Sequence, residues 1–254
     1  MNERFRGACK TLGVALFWLA LWFGLSALVG QELLLPSPAQ GLRALLRLAR
    51  GADYWQSVGW SILRVLAGLL AGAVLGVLLA FLTYWSALAR ALLSPLMTLV
   101  KSTPVASFII LALVWLGRSA VPVFITGLMV LPVVWANVSA GLNAQDEKLL
   151  ELAQVYCLPR GRVLRALTLP TVLPHFRAAM RSTLGLGWKA GIAAEVLTVP
   201  HRSIGKMIYE SKLYLETTEL FAWTLTVVVL SLVIERLLLR LISGVDGRGE
   251  GSRA

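Results

Sequence analysis

Three ionisable side chains stand inside otherwise apolar stretches of the sequence: Lys101, Lys189 and Glu195. A charged group at membrane depth costs roughly 2.5–3.5 kcal/mol on insertion scales, so it usually faces protein or water and serves a function. Lys189 and Glu195 are separated by about 120° around a helix, which predicts that they do not pair with each other directly. Two roles stay open: an interhelical ion pair between Glu195 and either lysine, or a solute path whose candidate residues are Lys101, Lys189 and Glu195, with a lysine that attracts anions.

Residues suited to enzyme catalysis are sparse. The chain has two histidines, His175 and His201, and we interpret His175 as a solvated residue of a cytoplasmic loop. The sequence contains no Ser/His/Asp arrangement, no metal-ligand spacing and no G-x-x-x-x-G-K-[ST] loop to hold nucleotide phosphates. We therefore expect no enzyme activity, no cofactor and no metal in this chain. A membrane-embedded enzyme and a non-transport membrane scaffold or channel remain the alternatives from other classes.

The apolar stretches that hold these charges predict membrane-spanning helices. The chain is 57% hydrophobic with a mean hydropathy of +0.76, and 15% of its residues are charged, against about 25% in a soluble domain. Six stretches approach or exceed the ~20 residues that a spanning helix needs. The fold class predicted is an all-α membrane protein, with spans at residues 11–30, 65–85, 91–117, 119–145, 182–200 and 220–239.

The net charge of +11 has a distribution typical of membrane topology rather than of nucleic-acid binding. With six spans and the N-terminus inside, the inner segments carry twice as many Lys and Arg as the outer ones, as cytoplasmic loops do. We expect both termini in the cytoplasm and no nucleic-acid partner. Arg43, Arg47 and Arg50 lie outside and run against this rule. Their spacing in "GLRALLRLAR" predicts the polar face of a short interfacial helix.

Small residues recur on two predicted spans. In lipid, such residues let helix backbones approach closely. They can serve packing within one chain or form a packed homodimer face, and both interpretations stay open. The glycines concerned are Gly68, Gly72 and Gly76 on the second span, and Gly187 and Gly191 on the fifth.

A long polar segment, residues 143–182, separates the fourth and fifth spans. It begins with "NAQDEKLLELAQVY", where acidic residues suit a helix N-terminus and apolar residues offer one side. Pro159 and Gly161 are expected to end this helix, and Pro170 and Pro174 to end a second one, "RVLRALTL". We predict a cytoplasmic helix–turn–helix that is too short to be a catalytic domain.

The spacing within this segment resembles the cytoplasmic motif of ABC importer permeases: Glu-Ala-Ala, three residues, Gly, nine residues, Ile, any residue, Leu-Pro. Cys157 departs most from it, because Gly there permits a turn that Cys tolerates poorly. We expect Gly161 to take over that role. "SILRVLAGLLAGAVLGVLLAFL", "LPSP" and "WKAGIAAEVL" extend the likeness to permeases of the nitrate/sulfonate/taurine type. The matching motif positions are Glu151, Leu152, Ala153, Cys157, Leu167, Leu169 and Pro170.

The resemblance implies the type I ABC importer permease fold, with six spans and a coupling helix between the fourth and fifth. It would form a single domain over 1–254, with a core of roughly 58–243 and a coupling loop of roughly 143–182. The coupling helix would dock on a cytoplasmic ATPase dimer, which would bind ATP and Mg²⁺. An extracytoplasmic solute-binding protein and a second copy of the chain would complete the complex, in a prokaryotic inner membrane. The solute would be a small anion such as nitrate, a sulfonate or taurine; a vitamin precursor or other small organic solute is the alternative.

Overall fold

The computed structural model of the protein describes residues 3–244, which are helical apart from short connections. An all-α chain is confirmed for these residues, which include no strand. The helices are α1 (Glu3–Val29), α2 (Pro38–Leu48), α3 (Ala52–Trp85), α4 (Ala87–Ser102), α5 (Val105–Trp115), α6 (Val121–Asn143), α7 (Glu147–Val155), α8 (Arg160–Val163), a π-helical turn (Leu164–Thr168), α9 (Leu169–Thr198), α10 (Ile204–Leu213) and α11 (Thr217–Gly244).

Three long helices, α3, α6 and α9, form the core. The buried side chains of α6 recur every fourth residue at Val130, Val134 and Val138, as expected for one helix face. They share one apolar cluster with Leu69 of α3 and Leu184 of α9. Around this core, α11 packs against α2 and α10.

The core helices approach closely because glycines face their neighbours. A Cβ added at Gly72 would lie 2.5 Å from the carbonyl oxygen of Gly127 on α6. A Cβ at Gly191 of α9 would lie 2.7 Å from Val65. All five glycines singled out in the sequence are buried against helices of the same chain, which leaves no space for a second copy at them: Gly68, Gly72, Gly76, Gly187 and Gly191.

Within residues 3–244, three segments are long and apolar enough to cross a membrane: Ala52–Trp85, Val121–Asn143 and Thr217–Leu238. A bent pair, α4 with α5, would make a fourth. The described apolar part of α1, Leu16–Val29, is shorter. The count of six spans therefore stays a prediction.

The prediction of one continuous span over residues 91–117 is wrong. The chain forms two helices, α4 and α5, that meet at an angle of 110°. Pro104 stands at the break, and Thr103 before it is extended, with φ −85° and ψ 135°. A residue that precedes proline avoids the α-helical region because it would clash with the proline ring.

The predicted break at Pro170 and Pro174 is also wrong, because both prolines lie within a continuous α9. Pro170 occupies the first turn, where its missing N–H costs no hydrogen bond. The turn before it is π-helical, and the Leu169 N–H reaches back to Leu164 O. His175 accordingly lies on α9, half-buried beside Gly141, and is not a solvated loop residue.

Candidate functional site

The segment that carries the motif begins with a short, well-defined helix. Asp146 caps α7, and its side chain accepts a hydrogen bond of 2.9 Å from the Lys148 N–H. Ala153 is 5% exposed and faces the rest of the chain. It lines a cleft of about 1030 Å³ between α7 and the end of α3, where Phe81 and Trp85 stand. One side of α7 is therefore committed to this chain.

Next to Ala153, α7 has an apolar face that is exposed. Leu152 and Val155 are 53% and 78% exposed, and Leu149 and Tyr156 are also exposed. Glu151, at the head of the motif, is exposed beside them. Large apolar side chains grouped on one exposed face indicate an interaction surface. We call Leu149, Leu152, Val155 and Tyr156 the outer face of α7.

The turn after α7 rests on Cys157, which has φ +50°. The Leu158 N–H donates to Ala153 O and the Cys157 N–H to Gln154 O, both at 2.9 Å. This pair of bonds is the Schellman motif, in which the left-handed residue is usually glycine. The expectation that Gly161 takes over the turn is wrong. Gly161 is a regular residue of α8, without positive φ.

Cys157→Gly is expected to stabilise the end of α7 by roughly 0.5–1 kcal/mol. Glycine relieves the left-handed strain, and its greater freedom when unfolded offsets part of that gain. Amide exchange at Leu158, whose N–H closes the motif, should slow several-fold. Gly161→Ala is the matched control, since a Cβ there would meet open space and the backbone is helical. Faster exchange at Leu158 in Cys157→Gly would contradict this account of the turn.

The remaining motif positions connect this segment to the core. Leu167 lies in the π-helical turn, and Leu169 and Pro170 open α9. The Thr168 hydroxyl donates to the side chain of Gln145, at 2.9 Å, at the other end of the segment. The motif therefore runs from α7 directly into a core helix.

At the far end of α9, Glu195 is fully buried and pairs with Arg64 of α3, not with either lysine. The carboxylate oxygen Oε1 lies 3.2 Å from Nη1 of Arg64, which is 8% exposed. The Ser61 hydroxyl donates to the other oxygen at 2.6 Å. The predicted pairing of Glu195 with Lys101 or Lys189 is wrong, and so is the candidacy of Glu195 for a solute path within one chain.

The same network holds the connection between α9 and α10. Arg64 donates to the carbonyl oxygens of His201 and Arg202, at 2.9 and 3.1 Å. The Ile204 N–H donates to Ser61 Oγ at 2.9 Å, and the Gly205 N–H lies 3.3 Å from Glu195 Oε2. The buried carboxylate thereby accepts from three donors, on Ser61, Arg64 and Gly205, as a buried charge requires.

The two lysines stand apart from this network. Lys101 ends α4 and Lys189 lies in the middle of α9, and both are exposed. Their chain neighbours Val100 and Ala190 belong to the same apolar cluster. Among the described residues, neither lysine has a carboxylate within ion-pair distance.

The family of this chain is shown by comparison with known proteins. A family described as "Binding-protein-dependent transport system inner membrane component" matches residues 68–246. The chain belongs to this family. The matched range includes the second half of α3, all of α6 and α9, the motif segment and both lysines, so the resemblance seen in the sequence is confirmed. This chain is a permease component of a transport system, and the family is one of transport subunits rather than enzymes.

Individual relatives of this permease are distant. The taurine transport system permease protein TauC of Escherichia coli is 25% identical over 91% of this chain and 86% of its own length. A putative aliphatic sulfonates transport permease protein, SsuC of Bacillus subtilis, is 25% identical over 80% and 74%. The bicarbonate transport system permease protein CmpB of Synechococcus elongatus is 24% identical over 62% and 57%.

Solved structures share the permease fold. A bacterial ABC transporter involved in the import of the acidic polysaccharide alginate superimposes with a TM-score of 0.63. It is 16% identical, over 98% of this chain and 100% of the other. A second structure of an alginate transporter, in complex with alginate pentasaccharide-bound periplasmic protein, gives 0.62 at 13% identity, over 99% and 98%.

Sequence reasoning missed the partners of Glu195. Arg64 precedes Gly68 by four residues, the period of the glycine stripe on α3. Extending the glycine period by one turn toward the N-terminus of α3 would have placed the Arg64 side chain on the packed face of this helix. Ser61 lies one turn earlier on that face and is 0% exposed. The signal was therefore present as an arginine in register with small residues.

Proposed function

We propose that this chain is the transmembrane permease subunit of an ATP-driven ABC importer for a small anionic solute. The observation that carries the proposal is the outer face of α7, exposed at the head of the coupling motif. A cytoplasmic ATPase dimer would bind this face and supply all nucleotide chemistry, with ATP and Mg²⁺ held by the ATPase. Because only a tight turn, α8 and the π-helical turn separate α7 from α9, displacement of α7 would reach the core through a short connection.

The coupling proposal predicts that Glu151→Ala with Leu152→Asp leaves the permease folded but abolishes most substrate-stimulated ATP hydrolysis. Aspartate would place a charge on an apolar interface, where unpaired charges cost several kcal/mol. The measurement is ATP hydrolysis by the reconstituted complex, with and without loaded binding protein. Leu152 suits this test better than Ala153, because Ala153 is buried against the chain itself.

Leu213→Asp is the matched control for this test. Leu213 ends α10 and is 60% exposed, close to the 53% of Leu152. This variant should keep full stimulation. Equal stimulation in the Glu151/Leu152 variant and the Leu213 variant would refute ATPase docking at the outer face of α7.

Three considerations support an anionic solute. The relatives are named for taurine, aliphatic sulfonates and bicarbonate, each of which carries an anionic group. Lys101 and Lys189 are exposed at membrane-helix positions without an ion-pair partner among the described residues. An unpaired cation at such depth attracts anions over several ångströms and still releases them. We propose both lysines as path-lining residues.

Lys101→Met and Lys189→Met are expected to leave assembly intact and to lower anion uptake several-fold each, because long-range attraction to the path is lost. The measurement is uptake of taurine, an alkanesulfonate and bicarbonate by proteoliposomes that contain the complete transporter. Lys212→Met, at an exposed position in α10, controls for lost charge. Normal uptake in both lysine variants would remove them from the path.

The assembly follows from the same proposal. A second copy of this chain would complete the path, because Lys101 and Lys189 are exposed on the surface of one copy and not enclosed by it. A solute-binding protein would deliver the solute from outside, and both termini would lie in the cytoplasm. The charge distribution of the sequence supports this orientation.

A further inference from the structure

Helix α2 is held firmly on the surface of the chain. Ser37 caps it: its hydroxyl accepts from the Gln40 N–H at 3.3 Å, and the Gln40 side chain accepts from the Ser37 N–H at 2.7 Å. Its inner side packs on α11 through buried Gly41 and Ala44, and a Cβ at Gly41 would lie 3.8 Å from Leu225. The outward side of α2 is therefore presented in a fixed orientation.

That outward side is apolar along one edge and basic along the next. Leu42 and Leu46 are 54% and 56% exposed. At ~100° per residue, Arg43 follows Leu42 by about 100° around the helix, Arg50 lies in the connection just after α2, and both arginines are exposed. Arg47 continues the basic row but lies 3.6 Å from Glu219. Exposed leucines beside exposed arginines are the composition of a membrane-surface helix.

An aromatic anchor completes this surface. Trp55, near the start of α3, is 61% exposed, and its indole N–H donates to Ala49 O at 2.8 Å. The ring therefore stands at the C-terminal end of α2. Tryptophan is enriched where the bilayer meets water. We call Leu42, Leu46, Arg43, Arg50 and Trp55 the α2 patch.

The chain path places the α2 patch at the membrane surface. The connection from α2 to α3 contains only Ala49–Gly51, and α3 is the longest candidate span. On the other side, α1 leads into α2 from its apolar Leu16–Val29 stretch. A candidate span and a shorter apolar helix thus flank α2. At a membrane surface, the leucines of α2 would enter the acyl region and its arginines would lie at headgroup depth.

We propose that the α2 patch binds the headgroup phosphates of anionic phospholipids. Arginine recognises phosphate through several N–H donors, and each basic side chain near an anionic bilayer strengthens binding about five-fold. Within the described residues, Arg43 and Arg50 have no carboxylate partner. The proposal also explains why a basic cluster stands on the predicted outer side, against the general charge rule. It rests on neither ATPase coupling nor the identity of the solute.

The test compares lipid binding by the purified full-length permease and its Arg43→Gln/Arg50→Gln variant. Native mass spectrometry of detergent-solubilised protein, titrated with phosphatidylglycerol or phosphatidylcholine, gives apparent affinities. The variant should lose an order of magnitude or more in affinity for phosphatidylglycerol and little for phosphatidylcholine. Added salt should weaken only the wild-type preference. Thermal unfolding of the variant should match wild type, because both side chains are exposed.

Arg118→Gln/Lys212→Gln is the matched control, with the same loss of charge at exposed positions outside α2. It should keep the phosphatidylglycerol preference. Equal lipid affinities of the two double variants would overturn the proposal. A second overturning result would be weaker binding of the solute-binding protein by the Arg43/Arg50 variant in lipid-free detergent, since the patch would then be a protein contact. Loss of the dimer in that variant would also overturn it, in favour of a contact between copies.

Discussion

Glu195→Gln is expected to destabilise the folded permease by about 3 kcal/mol and to loosen the start of α10 from α3. The substitution keeps the size of the side chain but leaves Arg64 buried without its counter-charge, the situation in which a broken buried pair is most costly. Two backbone carbonyls still accept from Arg64. We therefore place the loss of stability at the lower end of the range typical of broken buried ion pairs. The measurement is the free energy of unfolding in detergent, with amide exchange at Ile204 and Gly205 as the local probe.

The double variant Arg64→Gln/Glu195→Gln should recover a substantial part of this loss, because it buries no unpaired charge. Lys206→Gln is the control, because it breaks an ion pair that is not buried. Lys206 and Glu210 lie 3.4 Å apart on α10 and are both about one third exposed, so their separation should cost less than 1 kcal/mol. Similar losses of unfolding free energy in Lys206→Gln and Glu195→Gln would show that burial of the Arg64–Glu195 pair does not raise the cost of breaking it.

Gly72→Ala is expected to destabilise the permease by roughly 1–3 kcal/mol, although alanine is the better helix former. The new methyl group would lie 2.5 Å from Gly127 O and 2.9 Å from the Val130 side chain, so α3 and α6 would have to separate. Overpacking of this kind typically costs 1–3 kcal/mol. A thermal shift of the solubilised protein, combined with the yield of folded protein, measures the effect.

Gly59→Ala provides a control on the same helix. Gly59 of α3 is exposed, and a Cβ there meets open space, so alanine should raise stability by up to about 1 kcal/mol through helix propensity. The two substitutions are chemically identical and should act with opposite sign. Shifts of the same sign would mean that α3 and α6 do not approach as closely as their backbones indicate.

Helix α9 joins the two regions that these predictions and the coupling test address. Its first turn holds Leu169 and Pro170 of the motif, and its last turns hold Glu195. Between them, glycines pack α9 against α3 and α6 without room for adjustment. A helix held this tightly moves as one body, so a displacement at its first turn must be accommodated at the Arg64 network or in the connection to α10.

The sequence by itself determined the class of the protein. Long apolar stretches separated by basic segments specify membrane helices, because a helix satisfies its backbone hydrogen bonds within itself in lipid. Motif spacing from Glu151 to Pro170 identified the family, because the spacing of motif residues can be read from the sequence without knowing how the helices pack. The glycine stripe on α3 likewise marked the packed face, because a period of four is a local property of a helix.

Only the tertiary structure decided the features that depend on contacts between distant segments, or on which of two competing local preferences prevails. Glu195 pairs with Arg64, 131 positions away. The glycine period places Arg64 on the packed face of α3, but it does not indicate which residue of a distant helix Arg64 meets. Cys157 adopts a left-handed backbone that its type disfavours, because the end of α7 requires it. Pro104 breaks a helix whereas Pro170 and Pro174 do not. Pro170 lies in the first turn of α9, after a π-helical turn, and Pro174 lies inside α9, where dense packing holds the helix together.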